Sequence, residues 1–148
     1  MTEKAYTHRS PVLNAMIQVS MTAAYINQQI DIAIVDLGIT NVQYNVLRIL
    51  KRHAPEGIAR IDIMRQLVEQ SVDLTRSINN LVNLGYVVRV RPENDRRLVF
   101  HHITEAGSAA LGKIDPLLHK MLSEIEGKLT IEEWLKISEL CVKIREIV

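Results

Sequence analysis

A chain of 148 residues with 47% hydrophobic and 24% charged residues has the length and composition of one globular domain, which excludes a disordered chain. A formal net charge of +1 argues against a generic polyanion binder, and no apolar run reaches the ~18 residues of a membrane span. A single cysteine excludes an internal disulfide, and residues 1–9 lack a secretory apolar segment, so we expect a cytoplasmic protein.

A long helix is predicted to begin at Ser10 and Pro11, because serine is a good N-cap and proline fits the first helical position. It should end at about Leu37, before Gly38. Its apolar residues form two stripes, which indicates burial on more than one side. A partner subunit is the simplest source of the second surface, and a central helix in a monomeric bundle is the alternative.

A second helix and two short elements follow. Thr40 and Gln43 have the spacing of a capping box, which predicts a helix to about Arg52. Ile58 is expected to begin a short strand, and Asp62–Val68 a short third helix that forms a helix-turn-helix pair with the helix after it.

The fourth helix is predicted to begin at Ser71 or Asp73, both of which are good N-cap residues, and to end at Leu84. Gly85 stands where a helix C-terminus favours positive φ. The polar side of this helix carries Thr75, Arg76, Asn79, Asn80 and Asn83. Arg and Asn match the hydrogen-bonding edges of guanine and adenine, and Thr can bond a base or contact a thymine methyl.

A β-hairpin is predicted next, from the β-branched runs Val87–Val90 and Leu98–Ile103 and the turn-forming residues between them. It carries Arg89, Arg91, Arg96 and Arg97 against Glu93 and Asp95. Residues 37–104 hold ten Lys and Arg against six Asp and Glu, so the positive charge is concentrated here. A polar helix followed by an arginine-rich ribbon fits DNA-groove binding. A solvated helix face and an ordinary charged hairpin would show the same residue types.

Two further helices are predicted, from Glu105 to about Glu126 and from Thr130 to the C-terminus. Thr130 and Glu133 have capping-box spacing. The last helix has an apolar stripe that nothing later in the chain can cover, which again favours a dimer.

The pattern T-R-x-x-x-x-L-x-x-x-G-[LYW]-V followed by D-x-R-x-x-x-x-x-[LI]-T resembles the winged-helix core of MarR-type transcriptional regulators. The matching residues are Thr75, Arg76, Leu81, Gly85, Tyr86, Val87, Asp95, Arg97, Ile103 and Thr104. The resemblance implies a mainly α fold with a small antiparallel β-wing, in one domain spanning residues 1–148. A winged helix-turn-helix core at 38–104 would be flanked by dimerisation helices at 10–37 and 105–148.

The resemblance further implies a homodimeric DNA-binding regulator, most often a repressor, that binds a pseudo-palindromic operator and is released by a small molecule. The fourth helix would enter the major groove with Thr75, Arg76, Asn79 and Asn80 nearest the bases. By the same resemblance Arg97, oriented by Asp95, enters the minor groove. We expect Arg89, Arg91 and Arg96 to meet phosphates.

An effector cavity is also implied, between the first helix, the second and the start of the fifth. Met16, Met21, Tyr25 and His53 are its candidate lining residues, and ordinary core packing is the alternative for each.

We consider the cysteine and two of the histidines as redox or metal-binding residues. Cys141 lies on the apolar stripe of the last helix, where packing is favoured over redox sensing. His101 and His102 are adjacent in a strand and so point to opposite faces, which excludes joint metal chelation. We find no motif for an enzyme, a metal or a cofactor. The alternatives are a winged-helix protein-interaction module and a ligand or redox sensor without DNA output.

Overall fold

The computed structural model describes residues 10–67 and 73–146, which fall into one compact unit ending at Ile114 and a second beginning at Asp115. The helices are α1 (Pro11–Ile34), α2 (Asn41–Arg52), α3 (Arg60–Gln66), α4 (Leu74–Asn83), α5 (Glu105–Glu126) and α6 (Ile131–Glu146). The strands are β1 (Ile58–Ala59), β2 (Val87–Val90) and β3 (Phe100–Ile103). This mainly α chain with a small antiparallel sheet confirms the predicted fold class.

Helix α1 begins as predicted, since the Ser10 side chain accepts a hydrogen bond from the Leu13 N–H at 3.2 Å. The α-helix ends at Ile34, and Val35–Leu37 continue as one 3₁₀ turn. Gly38 closes that turn with φ 64°, a conformation that glycine adopts without the steric cost of a Cβ. The predicted end at Leu37 is therefore right for the helical segment, although its last turn is tighter.

Helix α2 is at the centre of the first unit, where it packs against α1, α3, α4 and β3. Thr40 and Gln43 form both bonds of the predicted capping box, at 3.2 and 2.9 Å. Val46 and Leu47 are completely buried. Burial of this amphipathic face stabilises the helix more than its intrinsic propensity does.

The three strands are antiparallel in the order β1-β3-β2, with β3 in the middle. The short strand expected at Ile58 is confirmed, and it pairs with His101. The prediction that the last strand begins at Leu98 was wrong, because ladder pairing ends where Val90 faces Phe100. Two residues beyond Val90 stands Pro92, which has no N–H to donate to the ladder.

Helices α3 and α4 form the helix-turn-helix pair. Helix α3 begins at Arg60, two residues before the predicted Asp62, because the chain passes directly from β1 into the helix. Its predicted end at Val68 and the alternative N-cap Ser71 lie outside the described residues. Asp73 caps α4 by accepting from the Arg76 N–H at 3.0 Å.

Thr104 joins three elements at the end of β3. Its hydroxyl donates to the Gly85 carbonyl at 2.7 Å and accepts from the Gly107 N–H at 3.1 Å. Its own N–H donates to the Tyr86 carbonyl at 3.0 Å. The end of α4, the start of β2 and the first turn of α5 are therefore tied to one residue.

The second unit contains the later part of α5 and all of α6. Thr130 and Glu133 form the predicted capping box, at 2.8 and 3.2 Å, and the Trp134 indole donates to the Glu126 carbonyl at 3.2 Å. No residue of α6 is buried. Within the described ranges, no helix combines the length and the apolar character needed to span a membrane.

Candidate nucleic-acid interface

Helix α4 separates its apolar and polar residues cleanly. Leu74, Ile78 and Leu81 are buried. The candidate base-contacting residues Thr75, Arg76, Asn79 and Asn80 are all exposed. The capped N-terminus and the buried stripe thus present these four side chains to solvent on a fixed helix.

A cleft with a volume of about 710 Å³ lies between α4 and the hairpin formed by β2 and β3. We call it the arginine cleft, and its polar lining includes Arg60, Thr75, Asn79, Arg89, Arg91 and Arg97. None of the described residues that line it is acidic. Four guanidinium groups on a concave surface create a positive potential that attracts phosphate.

Arg89 and Asn79 form a hydrogen bond across this cleft, in which the Arg89 Nη2 group donates to the Asn79 Oδ1 atom. This contact was not predicted from the sequence. The two residues are ten positions apart, on a helix and on a strand, and no local pattern indicates that they meet.

The predicted role of Asp95 needs correction. Its carboxylate accepts from the Arg97 main-chain N–H at 2.9 Å, and in the part of the chain that is described it makes no ion pair with the Arg97 guanidinium. Aspartate commonly bonds the main chain two residues on, which stabilises a turn. Asp95 therefore fixes the backbone at the hairpin tip, whereas the Arg97 side chain lines the cleft. Arg96, on the same tip, is exposed and does not line it.

His101 lies at the buried floor of the cleft. Its Nδ1 atom is 3.4 Å from the Ile58 carbonyl oxygen, which requires a proton on Nδ1. Burial lowers the pKa of His101 from the usual 6.5; the Ile58 bond opposes this, and Arg89 and Arg60 add to the lowering. A neutral imidazole is therefore favoured beneath the arginines.

The four candidate effector-pocket residues are not brought together in a closed pocket. The side chains of Met16, Met21 and Tyr25 on α1 are each more than half exposed. The His53 imidazole is hydrogen-bonded to the Gln66 side chain. A different concavity, of about 240 Å³, lies at the end of α2 and the start of α5. Its lining includes Leu50, Pro55, His102, Thr104 and Ser108, none of which was predicted from the sequence to line an effector cavity.

Among the described residues, no group of three or more His, Cys, Asp and Glu side chains is arranged to hold a metal ion. His102 bonds the Pro55 carbonyl at 3.1 Å and His101 faces Ile58, so the two imidazoles have separate main-chain partners. Cys141 is a free, half-buried thiol.

Comparison with known proteins identifies this arrangement. Residues 39–107 match the family model described as a winged helix DNA-binding domain. The chain is 30% identical over 106 residues to the HTH-type transcriptional regulator YwhA of Bacillus subtilis, covering 72% of this chain and 75% of YwhA. The fold is therefore that of a winged-helix DNA-binding protein.

Solved structures of regulators with the same fold support this assignment. Wild-type MarR from E. coli in its apo form is 27% identical, with a TM-score of 0.66 over 86% of this chain and 93% of MarR. The S. aureus MepR–DNA complex, at 20% identity, shares the fold with a TM-score of 0.79 over 90% of this chain and 97% of MepR. The chain belongs to the MarR family of winged helix-turn-helix regulators. It is a DNA-binding transcriptional regulator, and its relatives form a family without enzymatic activity.

Proposed function

We propose that the protein is a dimeric repressor that binds a pseudo-palindromic operator and is released by a small-molecule effector. The observation that carries this proposal is the arginine cleft beside the exposed polar face of α4. A DNA duplex presents base edges in its major groove and phosphates on either side of it. The polar face of α4 matches the base edges, and the arginine cleft matches the phosphates. MepR, which shares the fold, has been solved bound to DNA.

The residues divide into three roles. Thr75, Arg76, Asn79 and Asn80 contact base edges in the major groove. Arg97 enters the minor groove, where a narrow A·T tract concentrates negative potential. Arg89, Arg91 and Arg96 contact phosphate, and Asp95 supports Arg97 through its main chain. Four guanidinium groups on one concave surface favour a polyanion as the ligand, so the alternative of a protein-interaction module is disfavoured.

Homodimer formation is supported by the apolar surface of α1 and α6. Ile34 is the one buried residue of α1, although the helix has 24 residues. Val12 on α1 is 71% exposed, and Ile131 on α6 is 77% exposed. Exposed apolar residues in this number on a helix are typical of association surfaces. Residues 10–37 and 105–148 would form the dimer interface around the core at 38–104, with half-sites about one DNA turn apart.

Effector binding is proposed at the 240 Å³ concavity, which adjoins β3 and the first turn of α5. Its position next to Thr104 allows a bound molecule to act on the elements that Thr104 joins. Such a regulator would act on DNA in the cytoplasm.

The test is selection of bound duplexes from a random DNA pool by the wild-type protein and by Arg97→Ala. We expect the wild-type protein to enrich a palindromic sequence. Arg97→Ala should lose affinity most at sites whose flanks are A·T-rich. Lys113→Ala, an exposed charge on α5 outside the cleft, is the matched control. Failure of the wild type to enrich any sequence would refute sequence-specific binding.

A further inference from the structure

The Arg89–Asn79 contact lies where the proposed base-contacting helix meets the proposed phosphate-contacting hairpin. Asn79 is in the middle of α4, and Arg89 is in β2, which is one of the two edge strands of the sheet. Both side chains line the arginine cleft, and both are exposed. The contact is therefore at the surface that DNA would cover, and its geometry bears on recognition.

The chemistry of the two groups fixes the orientation of the Asn79 amide. A guanidinium has five N–H donors and no acceptor, so only the oxygen of the amide can face it. With Oδ1 held by Arg89, the Nδ2 group and its two N–H bonds remain for a ligand. The positive charge beside Oδ1 also repels any further donor that approaches it.

We propose that Arg89 is a positioning residue for sequence recognition, which holds the Asn79 amide so that Asn79 acts as a hydrogen-bond donor to a base in the major groove. This inference rests on the proposed insertion of α4 into that groove. Guanine offers O6 and N7 as acceptors and thymine offers O4. Cytosine offers only an exocyclic amino group, which is a donor, and on adenine the acceptor N7 lies beside such a donor. An Asn79 amide that can only donate therefore prefers guanine or thymine, because an N–H bond directed at adenine N7 also meets the neighbouring amino group.

Free asparagine side chains have the opposite preference, since an unconstrained amide pairs with the N6 and N7 atoms of adenine through its oxygen and nitrogen together. Asn80 provides the comparison within this chain. It is the next residue of the same helix, it is exposed, and no hydrogen bond from a described guanidinium reaches its side chain. The base pair that depends on Asn80 should thus be independent of Arg89.

The experiment measures binding of the full-length protein to a panel of duplexes. The operator enriched from the random pool is first probed with Asn79→Ala, which identifies the base pair that depends on Asn79. That position is then varied through all four base pairs, and affinities are measured for the wild type, Arg89→Met and Arg89→Lys. Arg89→Met removes the donor and keeps the aliphatic stem, whereas Arg89→Lys keeps a donor and the charge. Ratios between duplexes within one variant cancel any general loss of phosphate contact.

The wild type should prefer guanine or thymine at this position. Arg89→Met should reduce its discrimination against adenine by roughly fivefold or more, the lower range of one bidentate base contact. Arg89→Lys should retain the wild-type preference, and Asn79→Asp, which can still accept from Arg89 but has no N–H, should lose it. Thermal unfolding of each variant checks that it is folded.

Two results would overturn the inference and leave the proposed function intact. One is an enriched operator whose Asn79-dependent base is adenine or cytosine. The other is a ratio of guanine or thymine affinity to adenine affinity that Arg89→Met does not change more at the Asn79-dependent base pair than at the Asn80-dependent one. By contrast, a wild type that enriches no operator would refute the proposed function itself, and the inference with it.

Discussion

Replacing Arg91 with alanine should make DNA binding less sensitive to salt by a predictable amount. Arg91 is exposed and lines the cleft, and it forms no ion pair within the described ranges, so its guanidinium is available to a phosphate. Each phosphate contact contributes about 0.9 to the slope of log affinity against log salt concentration, because a counterion is released. The proposed dimer on two half-sites would lose two such contacts, so the slope should fall by about 1.8.

The same figure can be expressed as affinity. A fourfold rise in salt, from about 50 to about 200 mM, should weaken wild-type binding about twelvefold more than it weakens the Arg91→Ala variant. Fluorescence anisotropy titrations on the selected operator and on an unrelated duplex, at several salt concentrations, measure both slopes. The change should be nearly equal on the two duplexes, because phosphate contacts carry no sequence information.

Lys113→Ala removes the same charge from an exposed site on α5 outside the cleft and should leave the slope unchanged. An unchanged slope in Arg91→Ala would refute a phosphate contact at this residue. A fall of about 0.9 instead of 1.8 would mean that one copy of Arg91 contacts the DNA, and would refute the two-fold model.

Three predictions concern stability. Asp73→Ala removes the N-cap of α4 and should cost about 1 kcal/mol in denaturant unfolding, while the selected operator sequence stays the same; a changed operator would mean that Asp73 contacts a base. Because the pKa of His101 is lowered in the fold, the unfolded chain binds more protons, so stability should fall as pH drops through about 6.5. His101→Gln should show a weaker dependence in urea titrations across that range, and an equal dependence would contradict the assignment. Gly107→Ala places a Cβ 2.4 Å from the Tyr86 carbonyl oxygen, so about 1–3 kcal/mol should be lost, whereas Gly112→Ala, with open space at its Cβ, is the control that should lose none of this. Equal unfolding midpoints for the two glycine variants would refute the steric argument.

Elements whose signals are local in sequence were predictable. The caps of α1, α2 and α6 each depend on side chains three residues from the groups they bond, so Ser10, Thr40 and Thr130 were identified from spacing alone. For α4 the sequence left two candidate N-cap residues, and the structure shows that Asp73 makes the capping bond.

Features that depend on the approach of distant segments were not predictable. The β2–β3 ladder ends where Val90 faces Phe100, and a pattern of β-branched residues in β3 does not reveal where its partner strand stops. Arg89 on β2 reaches Asn79 on α4 across the cleft, a contact that depends on how the strand and the helix approach each other. The Asp95 bond is local, but whether its carboxylate bonds the Arg97 main chain or the Arg97 guanidinium depends on the conformation of the turn. Residue types thus indicated the interface, but its internal pairings required three-dimensional geometry.

The Thr104 junction has a mechanical consequence. One hydroxyl bridges the Gly85 carbonyl, two residues after the end of α4, and the Gly107 N–H in the first turn of α5, so the two helices are coupled at this point. A force that tilts the first turn of α5 is transmitted to Gly85 over two hydrogen bonds, without passing through the hydrophobic core. A displacement of the first turn of α5 would therefore be felt at the C-terminal end of α4, the helix that is proposed to contact bases.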